Sequence, residues 1–224
     1  MGEKVLVSWS GGKDSAQALW EVQKAGTYEI AALLTTVTEA YDRVSMHGVR
    51  RTLLAEQARA LGLPLEEVFI SPNANNQEYE ARMEEVLCRH HENGVRAVVF
   101  GDIFLEDIRQ YREQHLARIG MCGLFPLWKR NTRELMRTFL ALGFRAVVVC
   151  VDLKVLDASF AGRVIDERFL NDLPSSVDPC GENGEFHSFV FDGPIFQKPV
   201  PFVKGEVVIR ERFCFCDLLP APAA

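Results

Sequence analysis

The residues best suited to chemistry lie near the start of the chain, in Ser10-Gly11-Gly12-Lys13-Asp14-Ser15. An apolar run, Val5-Leu6-Val7, precedes them, and a helical pattern follows from about Ser15. A strand that passes through two glycines into a helix leaves several backbone N–H groups aimed at one spot, at the positive end of the helix dipole. An anion is the natural occupant. Gly11 and Gly12 let the backbone come close to a phosphate, the Ser10 and Ser15 hydroxyls add donors, and Lys13 adds a positive charge. Asp14 is the odd member. A carboxylate beside a polyphosphate is repelled unless a divalent cation lies between them, so Asp14 argues for Mg2+. The spacing differs from a Walker A loop, which needs Gly-x-x-x-x-Gly-Lys followed by Ser or Thr.

The elements that must position these groups follow from the hydrophobic pattern. Apolar runs at residues 5–7, 30–36, 68–70, 95–100 and 144–151 read as five strands separated by helical patterns. Such alternation predicts an α/β fold with a doubly wound, mainly parallel sheet and right-handed crossovers. Ligands of these sheets gather at the carboxyl ends of strands, so Leu34 and Thr35 are where an adenine would sit. The fourth strand ends at Gly101-Asp102, again at a carboxyl end. Gly101 therefore joins the nucleotide-binding set, and Asp102 is a candidate second carboxylate for Mg2+, with helix capping as its alternative role. Residues 37–48 form an irregular loop carrying His47, either a substrate contact or a solvated histidine. Leu105, Ile108, Leu116 and Ile119 give the next helix an apolar stripe; Arg109 and Arg112 lie elsewhere on it, reaching phosphate or pairing with Glu106 and Glu113. Arg130 follows in Leu127-Trp128-Lys129-Arg130-Asn131, and Asn131 with Glu134 makes a helix-capping signature. Beyond about residue 153 the pattern changes to short strands interrupted by Pro194, Pro199 and Pro201. The expected organisation is a nucleotide-binding domain over residues 1–152 and a small β-containing extension over residues 153–224.

Bulk properties exclude several classes. Of 224 residues 48% are hydrophobic and 25% charged, and no apolar stretch approaches a membrane span. The chain opens directly on a strand, without a charged-then-apolar leader, which makes the cytoplasm the default location. A net charge of −6 with no Lys/Arg run argues against a dedicated nucleic-acid surface. The six cysteines form no Cys-x-x-Cys pair and no zinc-like spacing with the five histidines, so reduced thiols are expected.

The hexapeptide resembles the PP-loop, Ser-Gly-Gly-x-Asp-Ser, of the N-type ATP pyrophosphatases, which cleave ATP between the α and β phosphates. Within that superfamily nearly the whole chain is similar to the diphthine-ammonia ligase family. Besides the PP-loop, residues 101–113, the Leu127 to Asn131 stretch and Cys180-Gly181-Glu182-Asn183-Gly184-Glu185 carry the likeness. Members that amidate diphthine are expected to have Cys-Gly-Glu-Gly-Gly-Glu-Tyr-Glu-Thr here, whereas this chain has Asn183, Phe186, His187 and Ser188 at the four differing positions. Loss of the acid at position 187 bears on the acceptor more than on the ATP chemistry.

The resemblance implies an adenine nucleotide alpha hydrolase-like fold and a ligase mechanism with ATP and Mg2+. A substrate carboxylate attacks the α-phosphorus, pyrophosphate leaves, and ammonia or an amine captures the acyl-adenylate to give an amide. Ser10, Gly11, Gly12 and Ser15 would hold the pyrophosphate, Lys13 would offset its charge and Asp14 would hold the metal. Glu182 and Glu185 become the candidates for binding or deprotonating the incoming ammonium, on the premise that their loop faces the nucleotide. The alternatives are a nucleotide-binding protein of the same fold without turnover, or a related pyrophosphatase acting on a small metabolite. Acceptor, nitrogen donor and oligomeric state, a homodimer included, stay open at this stage.

Overall fold

The computed structural model describes residues 2–44, 48–72 and 74–222; His47 lies outside the described residues. In chain order the elements are β1 (Glu3–Ser8), α1 (Lys13–Ala25), β2 (Tyr28–Thr38), β3 (Arg43–Val44), α2 (Arg51–Leu61), β4 (Leu65–Ile70), α3 (Asn76–Glu92) and β5 (Val95–Val99). They continue with α4 (Glu106–Arg118), β6 (Cys122–Leu124), α5 (Thr132–Ala141), β7 (Arg145–Asp152), α6 (Glu167–Asp172), β8 (Phe186–Asp192), β9 (Phe202–Arg210) and β10 (Phe213–Pro220).

Five strands pair in parallel in the order β4-β2-β1-β5-β6, and β3 adds a two-residue antiparallel edge to β2. Side chains alternate across β1, so Val5 and Val7 point to one face and Leu6 to the other. The first face is covered by α1, α2 and α5, through residues such as Leu19, Leu54 and Phe139. The second is covered by α3 and α4, through Leu87 and Leu116. Apolar burial on both faces is what a parallel sheet requires, and it explains why β1 and β5 read as unbroken apolar runs.

One strand assignment is corrected. The fifth parallel strand is β6, three residues long, and the apolar run at residues 144–151 is instead β7, inside a separate antiparallel sheet ordered β8-β7-β10-β9. Both placements bury a run of valines, so hydrophobicity alone does not distinguish them. In that second sheet β9 and β10 form a hairpin, turned at Glu211 with φ of 53°. The second sheet shares the core of the first, with Val147, Phe189 and Cys214 buried in the same cluster as Val5 and Leu19.

The apolar stripe expected on α4 is also corrected. Leu105 is the N-cap, Ile108 is 43% exposed, and of the four residues only Leu116 is buried. The reason is a cavity beneath the helix.

Candidate active site

The chain runs from β1 outward through β2 to β4 and then crosses to the opposite side for β5 and β6. The switch point therefore lies between β1 and β5, where neighbouring loops leave in opposite directions and open a crevice. The β1–α1 loop, residues 9–12, and the β5–α4 segment, residues 100–105, meet there. Gly101 makes the meeting close: a Cβ on it would lie 2.8 Å from the Asp14 carbonyl carbon and 2.9 Å from its oxygen.

Helix α1 starts after Gly12, an N-cap with no side chain to accept from the first turn, so that turn can receive an anion, with the Gly12 and Lys13 N–H groups meeting the hydroxyls of Ser10 and Ser188. The Ser10 hydroxyl accepts from Gly12 N at 3.2 Å and lies 3.3 Å from the Ser15 hydroxyl, which in turn donates to Gly12 O at 2.9 Å. Gly11 has φ of 77°, a conformation that glycine adopts without penalty. From the second sheet, Val190 N donates to Gly11 O at 2.9 Å and Ser188 Oγ accepts from Lys13 N at 3.2 Å. A strand distant in sequence thus clamps the loop.

Lys13 is only 2% exposed, and its ammonium lies 2.8 Å from Asp14 and 5.3 Å from the centre of the Phe186 ring. Burial disfavours that charge, but the pull of Asp14, with smaller ones from Cys180 and Glu182, outweighs it, raises the lysine and keeps it protonated. Burial pushes the Asp14 carboxyl up, against the pull of Lys13, with Asp178 and Asp102 adding to the rise. Asp102 is ion-paired with Arg112, at 3.0 Å. Two carboxylates thus sit beside the loop, each on a cation. Among the described residues no group of three or more His, Cys, Asp or Glu side chains converges as a metal site. A Mg2+ ion here would complete its shell with phosphate oxygens and water, its usual habit at nucleotide sites.

Two hollows meet at this point. A cleft of about 240 Å3 is lined by Gly12, Lys13, Asp14, Asp102, Glu182 and His187, among others. A larger cavity of about 660 Å3 lies under α3 and α4, walled by Leu34, Thr35, Tyr79, Met83 and Ile108, among others. Ile108 is exposed because it faces this hollow. Ser8, Ser10, Phe100 and Arg112 line both spaces, so the two hollows are adjacent and share a wall. The Thr35 hydroxyl is buried with no protein partner among the described residues, at the point expected for a base. A polar atom left so is costly unless a ligand or water meets it.

The Cys180 to Glu185 loop faces the cleft, with Gly181, Glu182 and Gly184 in its lining. Its two glutamates differ. Glu182 Oε1 accepts from Ile103 N at 2.7 Å and Phe104 N at 3.3 Å, tying the loop to the segment after Gly101. Burial raises its carboxyl to about 7; these two N–H groups oppose the rise and the nearby Asp14 and Asp102 charges add to it. Glu185 is 6% exposed and turns inward. It accepts from Asp178 N at 3.1 Å, Asn183 N at 2.9 Å and Asn183 Nδ2 at 3.0 Å, so it holds the loop's shape and is not part of the cleft lining.

Other candidates fall outside. Arg109 pairs with Glu113 at 2.8 Å and packs over the rings of Phe125 and Trp128. Arg130 pairs with Glu21. Arg112 does enter the site. Burial pushes the Cys180 thiol far up, and it donates to Thr132 O, so it is no nucleophile. His187 is lowered to about 4, by burial first and the Lys13 charge second, and is neutral near pH 7.

One supporting residue escaped the sequence reading. Gln57 on α2 is fully buried and touches the phosphate loop. A glutamine at a core position among Leu53, Leu54, Ala58 and Leu61 was the available signal, because a buried amide must be hydrogen-bonded.

Residues 3–122 match the diphthamide synthase N-terminal domain, and residues 131–220 match the diphthamide synthase C-terminal domain. Across 96% of its length the chain is 27% identical to the human diphthine–ammonia ligase and covers 88% of that protein. Against the bovine diphthine–ammonia ligase it is 26% identical with the same two coverages. With the diphthine–ammonia ligase of Schizosaccharomyces pombe it is 26% identical over 96% of its length, but spans 38% of that longer protein. The two matched domains correspond to the two sheets whose strands and loops build the cleft, and the chain belongs to the diphthamide synthase family.

Proposed function

We propose that the protein is an AMP-forming amide ligase that uses ATP to activate a carboxylate and transfers the acyl group to ammonia or an amine. One observation carries the reading. The loop at the head of α1 and the carboxyl of Glu182 line the same cleft, which adjoins a cavity large enough for a nucleoside. A half-buried acid with its carboxyl raised to about 7 in the same cleft as the loop favours an enzyme over a protein that only binds nucleotide.

Leu34 and Thr35 wall the base end, with the Thr35 hydroxyl free to meet a polar edge of adenine. Ser10, Gly11, Gly12 and Ser15 take the β and γ phosphates. Arg112, the cationic side chain that lines both hollows among the described residues, is the group available to the α-phosphate. Asp14 and Asp102 would hold Mg2+, which when bound neutralises phosphate charge. The acceptor carboxylate attacks the α-phosphorus, the bond to the bridging oxygen breaks, and pyrophosphate stays on the loop. The amine nitrogen then attacks the acyl carbon, AMP leaves with the electron pair, and the surplus proton passes to Glu182. Positioning and charge neutralisation supply most of the rate.

The relatives' name points to diphthine as acceptor, with His187 and Phe186 reshaping the wall that receives it. Gly101 serves the site by letting the β5–α4 segment cross α1. Glu185 acts through the loop it holds. The unpaired cysteines suit a reducing compartment, which supports a cytoplasmic location. Among the described residues no helix is long and apolar enough to cross a membrane. The test is product analysis with Mg-ATP, ammonium and a diphthine-bearing acceptor: AMP and pyrophosphate are expected in step with amide. ADP and phosphate would overturn the assignment.

A further inference from the structure

Every anion-binding loop has to solve a backbone problem: its N–H groups must face the ligand and its carbonyls must not. The peptide joining Gly11 to Gly12 lies at the centre of this one. In a trans peptide the C=O and N–H point in opposite directions, so fixing the carbonyl of Gly11 fixes the N–H of Gly12. That N–H faces the concave side of the loop, where Ser10 Oγ accepts it at 3.2 Å. The carbonyl faces the other way, into the core.

Two donors hold it there. One is Val190 N, at 2.9 Å. The other is Gln57 Nε2, at 3.0 Å, whose second proton goes to Val190 O at 2.6 Å. The amide cannot be flipped, because Trp9 Nε1 donates to Gln57 Oε1 at 3.0 Å. Gln57 is fully buried, and each of its hydrogen-bonding groups is used. The fit is tight as well: a Cβ on Gly11 would lie 2.6 Å from Gln57 Oε1.

We propose that Gln57 is a positioning residue for the phosphate loop, orienting the Gly11–Gly12 peptide toward the pyrophosphate and joining it to β8. This rests on the phosphate-loop reading above. It goes beyond that reading in assigning the loop's geometry to a side chain on α2 that touches no substrate. Because β8 follows directly on the loop that carries Glu182, the same amide keeps the pyrophosphate end and the acid–base end of the cleft in register.

The test uses the whole chain and two probes, inorganic pyrophosphate and AMP, titrated calorimetrically in the presence of Mg2+. Gln57→Met keeps the volume and removes both donors; Gln57→Glu keeps the acceptor for Trp9 and sets a carboxylate against two carbonyls. In whichever of them folds, pyrophosphate affinity is expected to fall about tenfold, the scale of one lost buried hydrogen bond. AMP affinity should stay within about twofold, because AMP does not reach the loop. Leu61→Ala, on the same helix, supplies the structural control, with a lower melting temperature and both affinities intact. Unchanged pyrophosphate binding in a folded Gln57 variant overturns the proposal, as does an equal loss for AMP and pyrophosphate. If the parent protein itself fails to bind pyrophosphate, the phosphate-loop reading is what fails.

Discussion

Replacing Glu182 with Gln separates the chemistry of the cleft from its architecture. The amide keeps an oxygen for Ile103 N and Phe104 N, so the loop stays tethered. The charge is lost. Burial raises this carboxyl from its ordinary 4.5 to about 7. At about 1.4 kcal/mol per pH unit the ionised form costs on the order of 3 kcal/mol, reduced to about 2 kcal/mol because solvent reaches part of the cleft. A raised acid stabilises the fold fully below its unfolded value, and that contribution is lost as the pH climbs through about 7. The parent should therefore lose about 2 kcal/mol between pH 5 and pH 8 through this group, and Glu182→Gln should not. For a chain of this size that is a melting temperature about 4–8 °C higher for the variant at pH 8, and little different at pH 5. Amide formation should move the other way. With free amine held constant, the parent rate should rise through pH 7 as the base ionises, whereas the variant should be about 100-fold slower without that inflection. Differential scanning calorimetry and a coupled AMP assay read both quantities. Identical pH dependence of melting in parent and variant, or an undiminished rate, would refute the reasoning.

Three further outcomes follow from the same geometry. Glu185→Gln weakens a three-bond anchor rather than a proton acceptor, so it should cost about 1–2 kcal/mol of stability and lower amide formation without moving its pH profile. A shifted profile would restore Glu185 to the chemistry. Asp14→Asn carries a structural cost as well as a catalytic one, because Asp14 is the ion-pair partner of the buried Lys13. Urea denaturation should show about 2 kcal/mol lost, beside a drop in AMP formation of about 100-fold. Gly101→Ala sets a methyl group 2.8 Å from the Asp14 carbonyl carbon, and should destabilise by about 1–3 kcal/mol while weakening ATP binding. Normal ATP affinity in that variant would mean the two segments can part without harm.

The sequence by itself determined what is local or periodic. The strand, the Ser10 to Ser15 loop and α1 are contiguous, so composition and spacing reveal a strand, a glycine turn and a helix start before any long-range contact is known. The capping pair on α5 is equally local, with Asn131 Oδ1 accepting from Glu134 N at 3.0 Å. Alternating strand and helix patterns likewise announce a parallel sheet. The tertiary structure alone decided which valine run belongs to which sheet, because pairing partners lie far apart in the chain and both sheets offer burial. It also decided the roles of chemically identical residues. Glu182 and Glu185 are three positions apart on one turn, yet one faces the cleft with its pKa raised by burial and the other turns inward to three donors. Arg109 and Arg112 share a helix, yet one packs over two aromatic rings and the other lines the site. Gln57 reads as an odd residue on an apolar face until the fold brings Gly11 and Val190 to its amide. Residue type sets what a side chain can do, but burial and partners set which of those things it does, and both arise from contacts between segments that the linear order keeps apart.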